Sequence, residues 1–67
     1  MARFFFNLEG GQNTEDPGGF AFETEIDAFR AAERFATELG SRRPTLRGNT
    51  CVVVTRNDRR EVYYVGV

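Results

Sequence analysis

The sequence predicts an α+β domain in the order strand, strand, helix, strand, strand (ββαββ), with one amphipathic helix packed on one face of a four-stranded antiparallel sheet. Three observations carry this prediction. Residues 3–8 alternate apolar and polar positions, and residues 24–39 place apolar side chains at three- and four-residue spacings behind a capping threonine. Residues 50–67 hold two runs rich in β-branched and aromatic residues around a polar turn.

In the first strand Phe4, Phe6 and Leu8 fall on one side and Arg3, Phe5 and Asn7 on the other, with Phe5 breaking the polar side. Glu9 to Gly19 is turn chemistry: the pairs Gly10-Gly11 and Gly18-Gly19 accept positive φ and Pro17 fixes φ, so the chain reverses here. Phe20 and Phe22 alternate around Ala21 and predict a short second strand paired with the first. Thr24 is then an N-cap, with Glu25 and Asp27 opposing the positive end of the helix dipole and Asp27 at the reciprocal capping-box position. Ala28, Phe29, Ala32, Phe35, Ala36 and Leu39 form one helix face, opposite Arg30, Glu33, Arg34, Thr37 and Glu38. Gly40 at the C′ position, with Pro44 beyond it, predicts an end near Leu39.

A basic connection, Ser41 to Gly48, leads to Thr50–Thr55, and Glu61–Val67 follows after Arg56-Asn57-Asp58-Arg59-Arg60; this is a β-hairpin. Two registers fit. A two-residue Asn57-Asp58 loop sets Val53 opposite Val62, whereas a three-residue loop ending in Arg59 sets Val54 there and exchanges the faces. In both cases each face is apolar: one takes from Cys51, Val53, Val62 and Tyr64, the other Val52, Val54, Tyr63 and Val65, joined by Phe5. One helix covers one face, so Phe5, Val52, Val54, Tyr63 and Val65 are the candidate interface on the uncovered side.

A chain of 67 residues has room for one domain, spanning residues 1–67, and chains this short need help from disulfides, a metal or a partner subunit. One cysteine and no histidine exclude an intrachain disulfide and the common zinc sites, leaving association. A homodimer through the uncovered sheet face is therefore the expected partner, with an unknown protein partner as a further expectation. No segment has the apolar length of a membrane span or a signal peptide, so no membrane partner and a cytoplasmic location are expected; a lone Cys51 fits a reducing compartment.

Met1-Ala2-Arg3-Phe4-Phe5-Phe6-Asn7-Leu8, the Gly10 turn, Asp16-Pro17-Gly18-Gly19, the Ala- and Arg-rich helix and the Val54-Thr55 hairpin with Arg60 after its turn resemble a family of short bacterial proteins of unknown function. Members typically open Met-x-Arg-(Phe/Tyr)-(Phe/Tyr)-Phe-His. The resemblance spans essentially the whole chain and implies the fold, but carries no activity to any residue. Two departures bear on chemistry. Asn7 stands where the family tends to have histidine, which argues against histidine-dependent activity, and Arg59 stands where it tends to have a left-handed glycine, which implies a strained turn or a different loop length.

With no histidine, no lysine and Cys51 inside a β-branched run, no catalytic residue is expected, and the domain reads as non-enzymatic. Glu15 and Asp16, with Asn13 and Thr14, lack calcium-loop spacing and read as a solvated turn; no metal and no cofactor is expected. Charge is uneven, with three arginines against eight acids in residues 1–40 and six against two in residues 41–67. Gathered at one end of the sheet, Arg42, Arg43, Arg47, Arg56, Arg59 and Arg60 would contact phosphate, and Tyr63 and Tyr64 would stack on bases. The acidic pI near 5.3 makes this nucleic-acid-binding module the alternative. The primary expectation is a self-associating protein-interaction module.

Overall fold

The computed structural model describes all 67 residues. In chain order the elements are β1 (Ala2–Gly10), β2 (Phe20–Phe22), α1 (Glu25–Arg42), a single 3₁₀ turn at Pro44–Leu46, β3 (Thr50–Arg56) and β4 (Glu61–Gly66). All strand pairs are antiparallel and the sheet order is β2-β1-β3-β4. This is the α+β fold the sequence predicts. No helix is long and apolar enough to cross a membrane.

Helix α1 starts where its cap requires: the Thr24 hydroxyl oxygen accepts the Asp27 N–H at 3.2 Å. Ala28, Ala32, Ala36 and Gly40 recur every fourth residue and are buried, so small side chains form the stripe against the sheet and let the helix backbone approach it closely. Phe4, Leu8, Val52 and Val54 complete the core with the three alanines.

The helix runs past the expected end near Leu39. Gly40 lies inside it, packed near Arg47 and Val67, and the Arg43 N–H closes the last turn on the Leu39 carbonyl at 2.8 Å. Packing of Arg47 and Val67 over Gly40 overrides the local tendency of glycine to stop a helix.

The hairpin takes the three-residue loop. Arg56 and Arg60 close it, the Arg59 N–H donates to the Arg56 carbonyl at 2.8 Å, and Arg59 itself adopts a left-handed φ of 67°. The pairing then slips. Thr55 faces Glu61 but Val54 faces Tyr63, so Val62 is the extra residue of a bulge and faces neither Val53 nor Val54.

That register corrects the expected uncovered face. Phe6 pairs with Val54 and Leu8 with Val52, and partners in a ladder share a face, so Val52 and Val54 lie under the helix and are fully buried. The bulge brings Tyr63 and Val65 to the same covered side, where both pack against the core. Of the five candidate interface residues only Phe5 lies on the far face, with Cys51, Val53 and Tyr64 as its apolar companions.

Candidate interaction surfaces

The helix-side edge of the sheet near β2 carries an aromatic cluster. Phe6 follows from the alternation of β1, but β2 ends its pairing with β1 at Phe4, so no strand covers the ring from the side. Phe20, Phe22 and Phe35 surround it instead, with ring centroids 5.5, 6.0 and 6.2 Å from that of Phe6. Leu8, Ala31 and Pro17 extend the lining of an open apolar groove of about 420 Å³. Phe20 is 54 % exposed and Phe35 36 %, so the groove presents aromatic surface to solvent. The sequence spacings set Phe6 and Phe35 on apolar faces and Phe20 in a short strand, without bringing the three rings together. The legible signal was the length of the second strand: three residues cannot shield a nine-residue neighbour.

The groove's outer wall is the long β1–β2 connection, held by side-chain bonds to backbone. The Asn7 side-chain carbonyl accepts the Asp16 N–H at 2.9 Å, and the Asp16 carboxylate accepts the N–H groups of Gly19, Gly18 and Phe6 at 2.9, 3.2 and 3.2 Å. The Arg3 guanidinium ties the same turn by donating to the Gly18 carbonyl at 2.8 Å. Burial alone would push the Asp16 carboxyl up; the Gly19, Phe6 and Gly18 N–H groups and the Arg3 charge outweigh it and hold the group below its ordinary value. Gly19, at a φ of 69°, lies against the Phe4 carbonyl and the Phe5 ring, where a Cβ would collide with both. Asp16 therefore spends its acceptors on the turn, and Asn7, at the position where the resembling family has histidine, is a structural partner of that turn.

The far face is mixed. Phe5 lies beside Thr55, Val53 is nearly buried between Asn7 and Tyr64, and Cys51 is half-buried beside Glu9. Tyr64 is 74 % exposed and is the one large apolar side chain standing free on this side. A shallow polar depression borders it, lined by Phe5, Asn7, Asp16, Thr55, Arg59 and Glu61. Carboxylates and guanidinium groups line it together.

The six arginines do not gather at one end. Arg42, Arg43 and Arg47 precede β3, whereas Arg56 ends it and Arg59 and Arg60 follow, so a seven-residue strand of about 20 Å separates the two groups. Arg56 is also engaged, pairing with Glu25 at the helix N-terminus at 3.2 Å. Tyr63 turns toward the helix instead of joining Tyr64: its ring stacks on Phe29 with centroids 4.4 Å apart, and its hydroxyl donates to Glu33 at 2.8 Å. That bond to Glu33, with lesser help from burial and the Glu33 charge, holds the phenol above its ordinary value of 10.0.

No curated protein and no solved structure matches the chain. A family model does, over residues 3–66, which takes in every strand, the helix and both surfaces described above. The chain therefore belongs to the family described as Domain of unknown function (DUF6894).

Proposed function

We propose that this domain is a non-enzymatic protein-interaction module that associates with itself and offers its aromatic groove to an apolar segment of a protein partner. The observation that carries the reading is the apolar surface left open on so small a body: Phe20, Phe35, Ile26 and Tyr64 are 54, 36, 59 and 74 % exposed. Burial of such surface is the main source of association free energy, and a 67-residue chain has little of it to spare inside. The polar groups of the far face support the same reading, because Asp16 is bound to backbone and the depression around it mixes acids with arginines.

The test is the solution mass of the purified protein by light scattering over a range of concentrations at low and high salt. A dimer that persists at high salt is expected, because apolar burial is not screened. A monomer at both salts overturns self-association. A complex with a labelled single-stranded oligonucleotide that weakens steeply with salt would instead favour phosphate contact by the arginines.

A further inference from the structure

We infer that the free edge of β4 is the self-association surface, pairing antiparallel with the same edge of a second copy across a twofold axis at Tyr64. This rests on the self-association proposed above and names the surface that performs it.

The two outer edges of the sheet are treated differently. On the β2 side, the edge strand is three residues long, and the remainder of β1 is closed by the Leu8–Thr14 bridge and by the Asp16 carboxylate on the Phe6 N–H. On the other side β4 lies open over its whole length. The Val67 N–H donates to the Thr50 carbonyl at 2.9 Å, and alternation along the ladder then turns Tyr63 and Val65 inward and the backbone groups of Tyr64 and Gly66 outward. Beyond Glu61 the strand has neither charge nor proline, the two devices that commonly block an edge.

The edge also complements itself. With Tyr64 opposite Tyr64 of the second copy, Tyr63 faces Val65 and Val62 faces Gly66, so no charge opposes a like charge. The axis stands perpendicular to the sheet and leaves both helices on one face. Helix α1 touches both β3 and β4, so pairing through the β4 edge brings the two helices side by side on that face. Along the flank of α1 above β4 run Ile26, Arg30, Glu33 and Thr37, a stripe at helical spacing whose side is set by the Glu33–Tyr63 bond. Tyr63 meets the helix between Phe29 and Glu33, so an axis at that level sets Arg30 of one copy against Glu33 of the other. The exposed Ile26 lies on the same flank. The second copy thus fits by hydrogen-bonding pattern and by charge.

Gly66→Pro removes an outward N–H without touching the β3 ladder, and an added side chain there meets nothing within 4 Å. Light scattering should show a wild-type dimer and a Gly66→Pro monomer with unchanged circular dichroism. Separately, Arg30→Glu and Glu33→Arg should each weaken the dimer by about tenfold or more, and an equimolar mixture of the two should recover it as a heterodimer. Exchange of the Tyr64 and Gly66 amides should slow as wild-type protein concentration rises. A dimer that survives Gly66→Pro and is split by Phe5→Glu places the contact on the far face; it overturns this inference and leaves self-association standing. Charge variants that dimerise as well as wild type overturn the twofold placement. A monomeric wild type overturns both proposals.

Discussion

Asn7 and Asp16 complete the outer edge of β1 where β2 stops: the Asn7 side chain takes the Asp16 N–H at 2.9 Å while the Asp16 carboxylate takes the N–H of Phe6 at 3.2 Å. A side chain thus stands in for a strand. Asp16→Ala removes three backbone partners at once and should cost about 1–2 kcal/mol, read as a lower urea midpoint with an unchanged slope. An unaltered midpoint would mean that water replaces the carboxylate without loss.

The same carboxyl sets an acid dependence. Because its folded value lies below the ordinary 3.8, the unfolded chain takes up this proton first as pH falls. Its contribution is complete above the unfolded value and disappears as pH drops through the lower folded one. Urea midpoints measured between about pH 2 and 6 should therefore fall more steeply below about pH 4 in wild type than in Asp16→Asn. Parallel curves would assign the acid sensitivity to other groups.

Gly40 separates two accounts of the helix end. A left-handed C′ glycine would lose stability on acquiring a side chain, whereas Gly40 here is helical, with room for a Cβ at ordinary contact distance from Arg47 and Val67. Gly40→Ala should raise stability by about 0.5–1 kcal/mol through helix propensity. A fall in the melting temperature would contradict the longer helix.

Arg59 occupies a left-handed conformation that suits glycine, at a φ of 67°. Arg59→Gly should stabilise the fold by about 0.5–1 kcal/mol, since relief of strain exceeds the added freedom of the unfolded chain. Thermal unfolding reads the change directly, and a destabilised variant would mean that the arginine side chain supports the hairpin.

At the other end of the domain, Thr24→Ala leaves the Asp27 N–H without its acceptor and should cost about 1 kcal/mol. Thr24→Ser, which keeps the hydroxyl, should stay close to wild type. Equal losses in both would attribute the effect to the methyl group.

Local signals were readable in the sequence because their causes are local. Alternation marked β1 and Thr24 marked the start of α1, while at Arg59 the family resemblance implied either a strained turn or a different loop length, and the strained turn is what forms. Non-local effects were hidden. The side of the sheet taken by Val52 and Val54 depends on pairing with Phe6 and Leu8, and that of Tyr63 on a bulge at Val62 that no residue type announces. Gly40 was misread because the packing that keeps it helical comes from Arg47 and Val67, beyond the helix itself. The arginine groups separated for a simpler reason, since a strand stands between them. The aromatic groove went unseen because spacing sets Phe6 and Phe35 on apolar faces but does not say how far β2 reaches along β1.

The sheet order places β1 between β2 and β3, with Phe4 paired to Arg56 and Gly10 to Thr50. Every rung of that central ladder closes a loop containing the whole helix, so its entropy cost falls due before any of its contacts form. The β3–β4 hairpin can fold locally, but β1 must wait for β3, which follows it by some forty residues. Phe4, Phe6 and Leu8 therefore lack their β3 partners until that strand is made, and the sheet closes late, when β3 reaches β1.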